Sequence, residues 1–115
     1  GKDITIFGDG SQTRDFIYVA DLCNAVRLAL ETPGIGGRVF QVATGIETSI
    51  GDLAEKLIEL SGGNSKVIYE GFRKGEIIKN YSDITLARKV LGFEPEHDLD
   101  KGLELTYDWF KSAIG

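Results

Sequence analysis

Apolar and polar positions change their period several times along this chain, and each change marks an element. Ile4-Thr5-Ile6-Phe7 is a short β-rich run, ended by the turn chemistry of Gly8-Asp9-Gly10-Ser11. Phe16-Ile17-Tyr18-Val19 is apolar and β-rich again before the spacing turns helical. Leu22, Val26, Ala29 and Leu30 then fall on one stripe, with Arg27 and Glu31 off it. Asp21 or a residue just before it can cap that helix, and Pro33-Gly34-Ile35-Gly36-Gly37 must stop it. Val39 to Ala43 is a nearly continuous apolar run, which predicts a strand covered on both faces.

Ser49 stands three positions before Asp52, an acidic relative of the capping box. Behind it Ile50, Leu53, Ala54, Leu57 and Ile58 keep helical spacing up to the stop at Gly62-Gly63. Lys66 to Tyr69 is a short strand candidate, residues 71–76 break any period and read as a loop, and Ile77 to Tyr81 is a weaker extended segment. Ser82 or Asp83 can cap a helix through Leu91, closed by Gly92 with Pro95 just beyond. Asp98 opens a last helix carrying Leu99, Leu103, Thr106, Tyr107, Phe110 and Ile114 at helical intervals. Short strands thus alternate with about four helices, which predicts one α/β domain over residues 1–115 with some parallel pairing.

Composition narrows the function classes. With 42% hydrophobic and 27% charged residues over 115 positions, the chain can build an ordinary core. No apolar run approaches the ~20 residues that cross a bilayer, so no membrane partner is expected. The net charge of −5 argues against a nucleic-acid backbone as partner. Cys23 is the single cysteine, which excludes an internal disulfide and fits a cytoplasmic setting. Cys23 and His97 alone cannot form a Cys/His zinc site, so no metal is expected. The chain has no methionine, and so reads as a piece of a longer protein, with a missing N-terminal part easier to accommodate than a missing C-terminal one.

Familiar catalytic signatures are absent. Gly8-Asp9-Gly10-Ser11-Gln12-Thr13 lacks the last glycine of a dinucleotide loop and does not run into a helix. Tyr107 and Lys111 have Tyr-x-x-x-Lys spacing, yet Tyr107 lies on an apolar helix stripe where packing accounts for it. His97 beside Asp98 fits a surface or capping role at the start of the last helix. Arg14 and Arg73 sit at strand–loop junctions, where α/β proteins hold ligands, and two guanidinium forks suit a diphosphate. Glu76, three residues after Arg73, can accept hydrogen bonds from sugar hydroxyls.

Residues 4–21, Ile-Thr-Ile-Phe-Gly-Asp-Gly-Ser-Gln-Thr-Arg-Asp-Phe-Ile-Tyr-Val-Ala-Asp, closely resemble a stretch of the NAD-dependent nucleotide-sugar epimerases and dehydratases. These are extended short-chain dehydrogenases of the UDP-glucose 4-epimerase type. Four further segments follow in the family's order: Phe40 to Gly45, Arg73-Lys74-Gly75-Glu76, Ser82-Asp83-Ile84 with Ala87-Arg88, and Leu91 to Pro95. The resemblance implies a small C-terminal lobe that holds a UDP-sugar or related nucleotide-sugar. It implies that Thr5 and Phe7 lie against the base, that Arg14 and Arg73 contact the diphosphate, that Glu76 holds the ribose, and that Asn80 lies near the hexose. Glu76 stands where aspartate is commoner in the family. By the same resemblance the N-terminal Rossmann lobe, absent here, is a partner that binds NAD and carries the catalytic Tyr-x-x-x-Lys. No catalytic or cofactor-binding residue is then expected on this chain alone. Three readings stay open: the lobe of an epimerase, the lobe of a UDP-glucuronate decarboxylase or dTDP-sugar dehydratase, and a non-catalytic interaction module. Surface left bare where the Rossmann lobe would sit favours self-association into a homo-oligomer.

Overall fold

A computed structural model describes residues 1–114. In chain order the elements are β1 (Ile4–Phe7), β2 (Thr13–Arg14), α1 (Val19–Glu31), β3 (Thr48–Ser49), α2 (Ile50–Leu60), β4 (Val67–Glu70), α3 (Thr85–Leu91) and α4 (Leu99–Ile114). β1 and β4 pair in parallel, with Ile4 opposite Val67 and Phe7 opposite Glu70. Parallel neighbours need a long crossover, and here the crossover includes α1 and α2. β2 and β3 form a second, two-residue antiparallel pair, Thr13 opposite Ser49 and Arg14 opposite Thr48. Neither of these two short strands was legible in the apolar pattern.

Helix ends follow local chemistry. The Ser49 hydroxyl accepts from the Asp52 N–H and caps α2, as the spacing predicts. Asp98 Oδ1 accepts from the Lys101 N–H at the start of α4. Asp83 Oδ1 accepts from both the N–H and the hydroxyl of Thr85, two residues on, although Ile84 holds the cap position of α3. Gly92 closes α3 with φ +67, a conformation that favours glycine. α1 begins at Val19 with no side-chain cap.

The core lies where α1 and α3 meet. Ala25, Ala43, Ile84, Ala87, Leu91 and Phe93 are buried there, with Ile17, Leu28, Phe40, Val42 and Val90 packed around them. Small residues at Ala25 and Ala87 let these elements come close. Two expectations need correction here. Val39 to Ala43 is not a strand, and neither is Ile77 to Tyr81. A strand exists only against a hydrogen-bonded neighbour, and among the described residues no strand pairs with residues 39–43. The apolar stripe expected on α1 is also only partly buried, because Ala29 alone of its four residues packs against the core. Ala25, Leu28 and Ala29 pack against the core, whereas Val26 and Leu30 are 55% and 84% exposed.

The molecule is broad and thin, 50 × 35 × 19 Å, with a radius of gyration of 16.7 Å. A compact domain of this length has a radius near 13 Å. Its accessible surface is 7777 Å², against roughly 6,200 Å² for a compact monomer of this mass. The excess includes the outer face of α1 and the last turns of α4.

Candidate functional site

β1 delivers Phe7 to the edge of a glycine turn. Gly8 has φ +100, and a Cβ there would stand 2.5 Å from the Phe72 ring. Its N–H donates to the Glu70 carbonyl, so the turn continues the β1–β4 ladder. Gly10 and Gly51 lie backbone to backbone, with the Gly51 N–H donating to the Gly10 carbonyl at 2.9 Å. Asp9 Oδ1 accepts from the Ser11 N–H and hydroxyl, and these bonds, the hydroxyl's first, hold the carboxyl below its ordinary pKa. The Gly51 and Ile50 N–H groups, donating to the Gly10 and Gln12 carbonyls, anchor the start of α2 beside the turn.

Two groups of side chains lie where this turn faces residues 71–78, Arg73 on Phe7 and Arg14 with Gln12 on Glu76, joined by the Gln12 bond to the Phe7 carbonyl. Arg14 donates through one guanidinium nitrogen to the carbonyls of Thr13 (2.6 Å) and Ile77 (2.7 Å), and its other terminal nitrogen stands 3.7 Å from Glu76 Oε1. Gln12 is almost fully buried, and its Nε2 donates to the Phe7 carbonyl at 2.7 Å and approaches Glu76 Oε1 at 3.5 Å. Arg73 lies over the Phe7 ring, its guanidinium carbon 3.8 Å from the ring centroid. Among the described residues Arg73 has no carboxylate partner. Three buried atoms of this cluster lack any hydrogen-bond partner: Gln12 Oε1, Thr13 Oγ1 and Glu76 Oε2.

Phe7, Arg14, Arg73 and Glu76, all expected from the sequence to share one function, therefore belong to one connected cluster. Thr5 is two residues before Phe7 on β1 and shares its strand face. Asn80 stands apart, exposed in the extended segment beyond Glu76. Two residues of the cluster's frame escaped the sequence reading. Asp15 Oδ1 accepts from the N–H and hydroxyl of Thr44, and its Oδ2 from the N–H groups of Gly45 and Ser82, tying three distant segments together. Gln12 is the other; a glutamine in a polar turn carries no signal of burial.

Elsewhere, His97 is more than a surface group. Its Nδ1 and N–H lie 2.8 and 3.1 Å from the buried Asp21 carboxylate, and Tyr18 packs against its ring. Tyr107 and Lys111 interact with each other, Lys111 Nζ lying 4.8 Å from the ring centroid and 2.9 Å from Asp108. The glycine turn does not suit the pyrophosphate of NAD. Asp9 already takes the Ser11 amide with a negative charge, and the chain runs on into β2 rather than into a helix. Among the described residues no three His, Cys, Asp or Glu side chains cluster as a metal site requires, and no helix is long and apolar enough to cross a membrane.

Comparison with known proteins gives a consistent set. The family profile described as GDP-mannose 4,6 dehydratase matches residues 1–106. A UDP-glucose 4-epimerase of Mycolicibacterium smegmatis is 36% identical over 112 residues, which cover 97% of this chain and 36% of that protein. The crystal structure of the Thermotoga maritima UDP-glucose 4-epimerase with UDP-glucose superposes with a TM-score of 0.90 at 37% identity, covering 98% of this chain and 36% of that one. The Bacillus cereus UDP-glucuronic acid 4-epimerase in complex with UDP-glucuronic acid and NAD gives 0.89 at 36% identity, with coverages of 96% and 36%. Other relatives are named as a UDP-N-acetyl-alpha-D-glucosaminuronate decarboxylase and as dTDP-glucose 4,6-dehydratases. The chain spans about a third of the length of the proteins it matches.

Proposed function

We propose, from the premise that this chain belongs to the epimerase and dehydratase family of extended short-chain dehydrogenases, that it is the lobe which grips the nucleoside diphosphate of a UDP-sugar. The observation that carries the reading is the cluster itself. An exposed guanidinium without a carboxylate partner lies on the Phe7 ring, and Gln12 links the Phe7 carbonyl to a carboxylate that faces a second arginine and keeps unused acceptor capacity.

Each residue has a distinct task in this reading. Arg73 leaves the Phe7 ring and offers its planar fork to the diphosphate, while Arg14, fixed by two carbonyls, supplies a second, immobile positive charge. Glu76 accepts from the ribose hydroxyls. Phe7, once uncovered, packs against the base, with Thr5 beside it on the same strand face, and Asn80 is offered toward the hexose. Epimerases, decarboxylases and dehydratases among the relatives all act on sugars carried by a nucleotide. Anchoring the unreacting nucleotide serves any of these reactions, because remote binding energy positions the sugar.

NAD belongs to the part of the longer protein outside this chain, since the residues here do not fit it. That part, the N-terminal lobe, covers the apolar outer face of α1 and closes over the nucleotide. Without it the isolated chain binds UDP weakly, with Kd about 1 mM. Titration with UDP followed by amide NMR shifts tests this. Changes concentrated in residues 5–16 and 71–80 support the assignment, and changes confined to other regions, or none at tens of times that concentration, overturn it.

A further inference from the structure

Gln12 is the residue of this cluster with no assigned role, and its surroundings define one. It is 2% exposed, so its amide cannot be satisfied by bulk water. Both groups facing its nitrogen, the Phe7 carbonyl at 2.7 Å and Glu76 Oε1 at 3.5 Å, are acceptors only. The amide must therefore present NH₂ to both of them, and a neutral glutamine amide supplies two hydrogens from one atom at this reach. A glutamate of the same shape would set an oxygen against a carbonyl and a second carboxylate. The backbone carbonyl of Gln12 also accepts from the Ile50 N–H at 2.9 Å, so the same residue is tied to the start of α2. Gln12 thus links β1, α2 and the loop that carries Arg73 and Glu76.

The effect on Glu76 is directional. Gln12 and Arg14 both address Oε1, while Oε2 has no partner. A carboxylate can accept about four hydrogen bonds, so Glu76 retains capacity for donors arriving with a ligand. Leaving a buried acceptor unpaired is costly, a penalty that a hydroxyl-bearing ligand relieves.

We propose that Gln12 is a positioning residue for the nucleoside half of the site: it fixes the Glu76 carboxylate relative to the Phe7 strand end, so that ribose and base are recognised together. The proposal rests on the nucleotide-binding reading above and adds to it a residue that itself touches no phosphate. Its signature is a split between ligands. UDP carries ribose and base, whereas inorganic pyrophosphate engages only the arginines.

The experiment titrates this chain with UDP and with pyrophosphate, comparing wild type, Gln12→Met, Gln12→Glu and Glu76→Gln. Gln12→Met keeps the volume and removes the donor; it weakens UDP roughly tenfold, the loss of one hydrogen bond to a charged group, and leaves pyrophosphate within about twofold. Gln12→Glu behaves the same way or worse. In the Glu76→Gln background Gln12→Met adds much less, because its partner is already altered. Equal losses for both ligands, unchanged UDP affinity, or full additivity with Glu76→Gln each overturn the proposal. Should Gln12→Met not fold, the wild-type side-chain amide resonances of Gln12 carry the test. They shift with UDP and in Glu76→Gln but not with pyrophosphate, and the opposite pattern overturns the role. A wild-type chain that binds no UDP refutes the nucleotide reading and this inference together; wild-type binding with an indifferent Gln12 refutes the inference alone.

Discussion

At Phe7 a guanidinium occupies the ring face that nucleotide binding would use, so binding must exchange one contact for another. A cation over an exposed aromatic ring contributes about 0.5–1 kcal/mol, and a hydrogen bond to a charged group about 1.5–3 kcal/mol. The exchange therefore favours the phosphate. Arg73→Ala is expected to weaken UDP binding by tenfold or more in the same titration, and Arg73→Lys to recover only part, because an ammonium has no planar fork. Equal affinity in all three would remove Arg73 from the site. Gly8 tests the support beneath. Its φ of +100 remains unfavourable for alanine even after the exposed Phe72 ring swings aside, so Gly8→Ala should lower stability by about 1–3 kcal/mol in a urea melt and broaden the resonances of residues 71–76. Unchanged stability would contradict the strain described there. Arg14, Arg73 and Glu76 could be proposed from the sequence because charge beside a glycine turn is conspicuous and the ordered segments resemble a family. Gln12 and Asp15 were not, since their roles depend on partners 29 to 67 positions away.

Among the elements, the connection between α3 and α4 is held in part by a buried carboxylate in the first turn of α1. Burial alone would raise the Asp21 pKa. Bonds from the His97 side chain, and from the backbone N–H groups of His97 and Glu96, outweigh it and hold the value below the ordinary 3.8. A carboxyl whose folded value is depressed stabilises the fold above its unfolded value and loses that contribution as pH falls. Acidification from about pH 5 to below pH 3 should therefore lower the urea midpoint more steeply in wild type than in Asp21→Asn. At pH 7 that variant should be less stable by about 2 kcal/mol. Parallel pH profiles would contradict this role. The sequence shows Asp21 as a helix-start acid and His97 as a capping-region polar group, but nothing in it joins them. Helices were easier to read than strands for a related reason. Ser49, Gly92 and Asp98 act within a turn of their own positions, whereas residues 39–43 are β-rich in composition and lack the neighbour that would make them a strand.

The whole molecule exposes more than its size requires. An α-helix apolar on both faces belongs inside a larger body, and α1 covers one face with Ala25 and Leu28 while leaving Val19, Val26 and Leu30 bare. Trp109, 61% exposed, and Ile114, 77% exposed, extend the apolar surface along α4. On the proposed reading an N-terminal lobe would cover this surface, and copies of the chain alone should then associate with one another. Sedimentation at several hundred micromolar is expected to show reversible association, and Val26→Glu with Leu30→Lys should abolish it while changing stability by no more than about 0.5 kcal/mol each. A monomer at all concentrations would contradict the assignment of that face.

A crystal structure of the chain soaked with UDP tests the central claim most directly. The account predicts phosphate oxygens within hydrogen-bonding distance of the Arg73 and Arg14 guanidiniums, a ribose hydroxyl on the Glu76 carboxylate, and the Phe7 ring freed of Arg73. Nucleotide bound anywhere else, with Arg73 still lying on Phe7, would contradict it.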